Sequence, residues 1–363
     1  MIKIILVVGA RPNFMKAAPI LRAFKKYRDV KVILVHTGQH YDYEMSDAFF
    51  KDLGIRRPDI HLGIGKGSRF EQMNRIQKRF KKVLAKEQPD YLIVVGDVTS
   101  TLACAKAAYA RNIKVAHVEA GLRSFDRSMP EEVNRVKTDA VSTLLFVSQK
   151  DAVRNLKREG IKAEKIFEVG DVMVDNLFYE IQKKENKGRR SKYVKPYCVL
   201  TLHRAGNVDD KVTLTRIMQG VCKVAEMLPV YFPVHPRTEN QLKKFKIEMP
   251  LNVHRLNPLG YRDFLSLYRQ ANFVMTDSGG LQLETSVLNV PCLTLRNTSE
   301  RLNTVTRGTN VLVGSDPKKI FNEAVKILKG KCKRSRLGKT WDGKASERIV
   351  KILKEHCSEK GIR

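Results

Sequence analysis

The strongest constraint on the fold of this chain is a regular alternation of short apolar segments with segments of helical periodicity. Continuous apolar runs of strand length occur at residues 2–9, 30–38, 90–97, 114–121 and 144–149. Helical patterns separate them at residues 17–27, 70–88 and 102–112. Strands that are apolar throughout are typical of a parallel sheet covered by helices on both faces. The first half of the chain therefore predicts a doubly wound α/β domain.

The same alternation begins again after residue 170. Strand patterns recur at residues 197–203, 230–235, 253–256, 271–278 and 291–295, with helical patterns at 212–227 and 261–270. A length of 363 residues also exceeds what one hydrophobic core usually supports. We therefore predict two Rossmann-like doubly wound domains, residues 1–170 and 171–345, that face a central cleft. The last helical pattern, residues 346–356, could pack on either domain.

The chain is strongly basic, with 68 Lys and Arg against 38 Asp and Glu and a formal charge of +30. No nucleic-acid-binding motif accompanies this surplus, and a solvated surface around an anion-binding cleft accounts for it. No apolar run approaches the roughly 20 residues of a membrane helix. The 6 cysteines show no CxxC spacing, which indicates reduced thiols and no structural metal. These features predict a cytoplasmic protein without a nucleic-acid or membrane partner.

Charged residues follow the predicted strands of the first domain, where ligands of doubly wound sheets bind. Arg11 and Lys16 follow the first strand and suit a phosphate or a leaving group, although both could be solvated cations. Asp97 could be a base, a ribose partner or a helix cap. Glu119 ends a buried strand, where desolvation would raise its pKa. Glu131 starts a helix, where an acid can simply favour the helix dipole. We expect Asp97, Glu119 and Glu131 to converge on one rim of the sheet. Carboxyl groups in such different environments can take opposite acid and base roles.

The second domain carries the sharper signal, a strand joined to a helix through TDSGG (residues 276–280). Gly279 and Gly280 let backbone N–H groups approach a diphosphate closely, and the Ser278 hydroxyl adds a donor. Glu284 lies about one turn into the helix, within reach of nucleotide ribose hydroxyls. His203 ends the first strand of this domain. The pattern predicts a nucleotide diphosphate site at this edge of the sheet.

Nine segments together resemble the non-hydrolysing UDP-N-acetylglucosamine 2-epimerases, in family order. They are GARPNFMKAAP, TGQH, GDVTST, HVEAGLRS, PEEVNR, TLHR, PVHPR, TDSGGLQLE and TSERLN. The resemblance covers nearly the whole chain. It implies a GT-B-like fold, a homodimer, domain closure on the substrate, and a C-terminal helix at about residues 346–363 that crosses back to the first domain. Ala205 and Gly206 stand where Arg and Glu are common in the family.

The resemblance also implies roles for individual residues. The positions that match the family's catalytic set are Lys16, Asp97, Glu119, Glu131 and His203. Those that match its diphosphate contacts are Arg11, Ser278, Gly279, Gly280 and Arg301. Glu284 is similar to the ribose ligand, and Phe264 to a residue whose backbone meets the uracil. Gln39 and His40 match part of the site where bacterial relatives bind a second, activating UDP-GlcNAc.

The implied reaction is the reversible C2 epimerisation of UDP-GlcNAc to UDP-ManNAc. UDP leaves in an anti elimination that gives 2-acetamidoglucal, and then adds back. This chemistry needs no cofactor and no metal, and its product would suit surface polysaccharide or glycan assembly. Two alternatives share the fold: a GT-B glycosyltransferase, and a hydrolysing 2-epimerase that releases UDP and free N-acetylmannosamine.

Overall fold

The computed structural model describes residues 1–38, 50, 53–185, 193, 195–299 and 301–358, apart from the side chains of residues 11, 184 and 185. The chain forms two compact units. Unit 1 contains Met1–Tyr179 and Lys339–Arg363, and unit 2 contains Glu180–Gly338. Each unit is built around its own parallel sheet.

The sheet of unit 1 has the strand order β3-β2-β1-β4-β5-β6-β7. Its strands are β1 Ile2–Val8, β2 Val30–His36, β3 Ile60–His61, β4 Tyr91–Val95, β5 Lys114–Val118, β6 Leu144–Val147 and β7 Ile166–Glu168. Its helices are α1 Arg11–Phe24, α2 Arg69–Glu87, α3 Thr99–Tyr109, α4 Pro130–Val141, α5 Lys150–Arg158 and α6 Val172–Glu185. The residues of α6 from Glu180 onward are assigned to unit 2. The chain runs from β1 through β2 to β3 at one edge of the sheet. It then returns to β4, beside β1, and continues through β5 and β6 to β7 at the other edge. The strand order therefore reverses between β1 and β4.

Local sequence explains several boundaries in this unit. Ser68 caps α2 by accepting a hydrogen bond from the Glu71 N–H, while the Glu71 carboxylate accepts one from the Ser68 N–H at 2.9 Å. The inner strands β4 and β5 are almost entirely buried, as their apolar sequences predict. Helix α1 begins at Arg11 rather than at residue 17. Pro12 favours an early start because its missing N–H is not needed in a first helical turn.

The C-terminal helix, α14 Ala345–Ser358, belongs to unit 1. Its apolar face shares a buried core with α1, to which it contributes Ile349 and Leu353. The Asp175 carboxylate of α6 accepts hydrogen bonds from the Ala345 and Ser346 N–H groups, at 3.0 and 2.7 Å. These contacts cap the helix and fix its start.

The sheet of unit 2 has the order β10-β9-β8-β11-β12-β13. Its strands are β8 Cys198–Thr201, β9 Val230–Pro233, β10 Val253–Leu256, β11 Phe273–Thr276, β12 Cys292–Thr294 and β13 Asn310–Leu312. Its helices are α7 Ala205–Val208, α8 Lys211–Ala225, α9 Pro236–Phe245, α10 Tyr261–Arg269, α11 Gly279–Val287, α12 Leu302–Thr306 and α13 Pro317–Leu328. The strand order reverses between β8 and β11, in the same way as in unit 1.

The prediction of two parallel α/β sheets is confirmed. The short strands β3, β7 and β13 were not predicted from the sequence. Each is only two or three residues long and partly buried, so none leaves a continuous apolar run.

The packing of α14 can be tested by cavity formation. Leu353 is fully buried, and we expect Leu353→Ala to lower the free energy of unfolding by about 2–5 kcal/mol. The control Leu251→Ala removes a side chain that is 98% exposed and should change it by less than ~0.5 kcal/mol. Urea denaturation monitors both variants, and equal effects would contradict the packing of α14 on α1.

Candidate active site

One buried side chain joins the ends of β1 and β4 in unit 1. The Asn13 Oδ1 accepts hydrogen bonds from the N–H groups of Gly9 and Ala10, at 3.1 and 3.0 Å. Its Nδ2 donates to the carbonyl of Val95 at 3.1 Å. Asn13 thus supplies hydrogen-bond partners for backbone groups that follow β1 and end β4, where the strand order reverses. Doubly wound sheets bind their ligands at such a reversal.

The Lys16 ammonium forms an ion pair with Glu119 beside this point. Lys16 lies in the second turn of α1, and its Nζ contacts the Glu119 Oε2. Glu119 is 5% exposed, so its charge is largely removed from water. A buried carboxylate is tolerated when a cation neutralises it, and Lys16 is such a cation.

Arg135 of α4 brings Asp97 and Glu119 together. Its Nη2 lies 2.6 Å from the Asp97 Oδ2 and 3.8 Å from the Glu119 Oε2. The neighbouring Asn134 donates to the Asp97 carbonyl at 2.8 Å. Asp97 therefore pairs with a guanidinium and does not cap α3, whose N-cap residue is Val98. Two carboxylates that share one cation can exchange protons with a substrate in opposite roles.

The backbone that carries these acids is strained. Glu119 has a φ of +69°, which is uncommon for a residue with a Cβ and costs about 1–3 kcal/mol. Gly96 has a φ of +68°, and a Cβ there would lie 3.1 Å from the Lys16 Nζ. The turn before Asp97 thus requires glycine both for its conformation and for the close approach of the ammonium.

The two acids of the PEEVNR segment have different environments. Glu132 is buried, and its carboxylate accepts hydrogen bonds from the N–H groups of Ser124 and Phe125, at 2.8 and 3.2 Å. Glu132 therefore fixes the preceding loop. Glu131 is exposed in the first turn of α4, and no ion pair joins it to other residues that the structure describes. The structure does not bring Glu131 to Arg135, and its catalytic role stays a prediction.

A second buried cross-link lies at the reversal of strand order in unit 2. Asp277, which follows β11, is fully buried and accepts hydrogen bonds from the N–H groups of His203 and Arg204, at 3.1 and 3.0 Å. The His203 Nδ1 lies 3.1 Å from the Asp277 Oδ1. Burial would raise the pKa of Asp277, but the hydrogen bond and charge of His203 and these backbone donors hold that pKa below its ordinary value. Asp277 thereby orients the half-exposed His203 ring.

The segment SGG lies where the sequence predicts, at the start of α11. The Ser278 Oγ accepts from the Leu281 N–H at 3.5 Å, which leaves the hydroxyl proton to donate to a ligand. A Cβ at Gly280 would meet only the Ser278 Oγ, at 3.8 Å, so the helix start is open there. The first N–H groups of α11 are thus available for an anion.

Glu284 is more buried than the sequence suggests, at 4% exposure. Its two oxygens accept hydrogen bonds from the phenols of Tyr261 and Tyr268, at 2.8 and 2.6 Å. Burial and the charge of Glu284 raise the pKa of both phenols, which therefore stay protonated donors. The two phenols therefore hold the Glu284 carboxylate in one orientation.

Three further predicted site residues lie in α10, before α12 and at the start of α1. Phe264 lies in α10, half-buried, with its ring centroid 5.1 Å from that of Tyr268. Arg301 precedes α12, and its N–H donates to the Ser299 Oγ at 3.1 Å. Arg11 begins α1, but its side chain is not described. Gln39 and His40 lie outside the described residues.

Sequence reasoning missed the roles of Asn13 and Asp277 in organising the site, and it did not identify the partners of Arg135. All three lie inside quoted motifs, but nothing in a motif indicates that a side chain bonds across the sheet. The reversal of strand order would have found Asn13 and Asp277, since each connects neighbouring strand ends there. Arg135 instead joins the residues that follow β4 and β5. No group of three or more potential metal ligands occurs within the described ranges. None of the helices in those ranges is long and apolar enough to cross a membrane.

Two Rossmann-like parallel sheets, with polar and charged side chains gathered where each strand order reverses, define an α/β protein of the GT-B-like class. A family model described as UDP-N-acetylglucosamine 2-epimerase matches residues 22–354, and the chain belongs to that family.

Three relatives illustrate the similarity. The chain is 42% identical to the UDP-N-acetylglucosamine 2-epimerase of Methanocaldococcus jannaschii, over 97% of this chain and 98% of the relative. It is 39% identical to the UDP-2,3-diacetamido-2,3-dideoxy-D-glucuronate 2-epimerase of Pseudomonas aeruginosa, over 97% and 99%. Among solved structures, it is similar to M. jannaschii UDP-GlcNAc 2-epimerase in complex with UDP-GlcNAc and UDP. That match has a TM-score of 0.83 and 41% identity, and covers 98% of this chain and 100% of that one.

The role of Asp277 predicts a pH dependence of stability. Its folded-state pKa is lowered, so its ionised contacts stabilise the fold above the ordinary carboxyl range, and this contribution disappears as the pH falls through the lowered pKa. We expect Asp277→Asn to reduce the free energy of unfolding at pH 7 by about 1–3 kcal/mol, and the difference from wild type to narrow below about pH 4.

Urea denaturation at a series of pH values measures this difference. The control is Asp263→Asn, which changes an exposed acid of α10. A stability difference that stayed constant from neutral to acid pH would show that the charge of Asp277 contributes nothing.

Proposed function

We propose that this protein catalyses the reversible C2 epimerisation of UDP-GlcNAc to UDP-ManNAc without hydrolysis. The observation that carries the proposal is the meeting of Asp97 and Glu119 on the Arg135 guanidinium, at 2.6 and 3.8 Å, in a chain of this family. It supplies two carboxylates held close together but in different environments. Asp97 is the more exposed of the two, at 24% of its side chain against 5% for Glu119.

The chemistry explains why a pair of acids is needed. The C2 proton of the sugar is not adjacent to a carbonyl, so its removal alone gives no stabilised enolate. Elimination solves this problem, because UDP departs from C1 as the proton leaves C2, and 2-acetamidoglucal forms. UDP then adds back to C1 while a proton is delivered to the opposite face of C2. One group removes a proton and a second group returns one, which is the work of two differently placed acid–base residues.

We assign this work to the set Asp97, Glu119 and Glu131, with Lys16 and Arg135 holding the charges of the first two. Lys16 contacts Glu119 directly, so protonation of Glu119 during turnover would release the ammonium to face negative charge that develops on the leaving group. Within the set, one carboxylate acts as the base and another as the acid.

The departing diphosphate needs donors that strengthen as its charge grows. Unit 2 offers the first N–H groups of α11 at Gly279 and Gly280, together with the Ser278 hydroxyl. His203 is oriented by Asp277 and can add a donor. Arg11 and Arg301 match the family's remaining diphosphate contacts. These groups together would hold UDP through the elimination, so that it returns to the sugar instead of being lost.

Recognition of the nucleoside falls to Glu284 and Phe264 in this proposal. Glu284 is held at both oxygens by phenols, which fixes its orientation toward ribose hydroxyls. The backbone of Phe264 would meet the uracil. Gln39 and His40 would contribute to a second, activating UDP-GlcNAc site. We further propose a cytoplasmic homodimer without a cofactor, which supplies UDP-ManNAc for surface polysaccharide or glycan synthesis.

Incubation of the purified protein with UDP-GlcNAc in D2O tests the reaction. Epimerisation by elimination should give UDP-ManNAc that carries deuterium at C2, with UDP still attached at equilibrium. NMR follows all these species. Free N-acetylmannosamine together with UDP would instead identify a hydrolysing 2-epimerase. Binding of the nucleotide sugar with turnover only in the presence of an acceptor would identify a glycosyltransferase. A parallel incubation with UDP-2,3-diacetamido-2,3-dideoxy-D-glucuronate compares the substrate named for the Pseudomonas relative.

The roles of the two acids predict a separation of turnover from binding. We expect Glu119→Gln and Asp97→Asn each to reduce kcat by about 10²–10⁴-fold, because an acid–base group is lost. Affinity for UDP should change by less than about tenfold, equivalent to ~1.4 kcal/mol. Calorimetric titration with UDP measures affinity, and Glu164→Gln, which changes an exposed acid in the 3-10 helix Ala163–Lys165 before β7, is the matched control. Parallel losses of turnover and affinity would contradict these roles.

A further inference from the structure

His117 is a buried histidine near the end of β5 that the proposed chemistry does not use. It is completely inaccessible to solvent, and both of its ring nitrogens are engaged. The Nδ1 lies 2.6 Å from the Asp139 Oδ1, and the Nε2 lies 2.8 Å from the carbonyl oxygen of Gly96. A carbonyl can only accept, and an ionised carboxylate can only accept, so the ring donates from both nitrogens.

Asp139 is ionised in this arrangement. Burial would raise its pKa, but the charge and hydrogen bond of His117, and those of Arg123, hold the pKa of Asp139 below its ordinary value. The Arg123 Nη2 lies 2.7 Å from the Asp139 Oδ2, and the same guanidinium binds Glu159 at 2.6 Å. The Arg123 guanidinium thus contacts both carboxylates and His117 contacts Asp139, which makes burial of the group tolerable.

The bond from His117 to Gly96 acts directly on Asp97. The Gly96 carbonyl and the Asp97 N–H belong to one planar peptide group, so a hydrogen bond to that carbonyl fixes the plane from which Asp97 projects. The Gly96 N–H is held as well, by the carbonyl of Val118 at 3.0 Å. Strand β5 therefore hydrogen-bonds both the N–H and the carbonyl of Gly96, the left-handed residue that precedes Asp97.

The other branch of the network acts on the turn that carries Glu119. The Asp139 Oδ2 accepts a hydrogen bond from the Gly121 N–H at 3.1 Å, and Gly121 has a φ of +73°. The N–H groups of Glu119 and Ala120 both donate to the Phe146 carbonyl, at 3.1 Å. A left-handed Glu119 persists only where its surroundings over-determine it, and these bonds provide that constraint.

We infer that His117 is a positioning residue that sets Asp97 against Glu119 through its hydrogen bond to the Gly96 peptide, while its bond to Asp139 orients the ring. It would not touch the substrate. Because the acids meet on Arg135 within 4 Å, a small rotation of the Gly96 peptide changes which of them the guanidinium contacts. This inference rests on the proposed function, since it concerns the geometry of the two acids that the epimerisation uses.

Two isosteric substitutions separate the two bonds of the ring. The amide nitrogen of glutamine reaches the place of Nε2, so His117→Gln can keep the bond to Gly96. The amide nitrogen of asparagine reaches the place of Nδ1, so His117→Asn keeps the bond to Asp139 and loses Gly96. Asp139 keeps its hydrogen bonds to the Gly121 N–H and to Arg123 in either variant. The turn that carries Glu119 therefore stays constrained. A merely structural histidine would make the two variants equivalent in turnover.

We expect His117→Gln to keep kcat within about tenfold of wild type and His117→Asn to lose about 10²-fold, the typical effect of misplacing a reacting group. Affinity for UDP and the thermal midpoint should be similar in the two variants. His254→Gln, at an exposed position on β10, is the control. Equal turnover in the two variants, or the reverse order, would overturn the inference. Failure of either variant to fold would do the same, because it would assign His117 to stability.

A double-mutant cycle provides the decisive readout. If His117 acts through Asp97, adding His117→Asn to Asp97→Asn should reduce kcat by less than about threefold beyond Asp97→Asn alone, because the positioned group is already gone. If the two substitutions instead reduce kcat by factors that multiply in the double variant, the inference is overturned.

The wild-type protein is the reference for both proposals. If it neither converts UDP-GlcNAc nor exchanges the C2 proton, the proposed function fails, whereas normal wild-type turnover with multiplying losses refutes only the positioning role.

Discussion

The reversal of strand order in each parallel sheet is the constraint on which the site depends. At β1 and β4 in unit 1, and at β8 and β11 in unit 2, the following chain segments leave in opposite directions. Backbone donors at such a point lack the partners that a neighbouring connection would provide, and an unpaired buried N–H is costly. The protein meets this cost with one buried polar side chain in each unit, Asn13 and Asp277, which accept hydrogen bonds from backbone groups there.

These cross-links also decide which groups remain for a ligand. Since Asp277 uses its carboxylate on the backbone and on the His203 Nδ1, the imidazole keeps a defined orientation. In unit 1 the cross-link is the neutral Asn13, and the charges lie nearby on Lys16, Glu119 and Arg135. Unit 2 thus presents helix N–H groups and a hydroxyl that suit an anion, whereas unit 1 presents paired acids and bases. This division of properties suits a reaction in which a diphosphate leaves a sugar while a proton is moved.

Buried charge in unit 1 is arranged in two connected groups. One contains Asp97 and Glu119, which both contact Arg135. The other joins His117, Asp139 and Arg123, and the hydrogen bond from His117 to Gly96 connects it to the first. Each carboxylate in these groups has a cation within hydrogen-bonding distance, which compensates for lost hydration. Such networks contribute little net stability but define one geometry, because most displacements leave a charge unpaired. A left-handed Glu119 is compatible with such an environment.

The α/β class, the approximate strands and the placement of the motif residues at strand ends could all be predicted from the sequence, because continuous apolar runs and glycine-containing turns are local properties. The sequence did not determine the start of α1, the short strands, or which acid of PEEVNR is buried, since Glu131 and Glu132 differ only in their direction on one helix. Nor could it pair Arg135 with Asp97, which lies 38 residues away. Those contacts depend on helix rotation and strand order. The β4 partner of Asn13 and the partners of His117 and Asp277 are distant in sequence, and these residues come together only when the chain is folded.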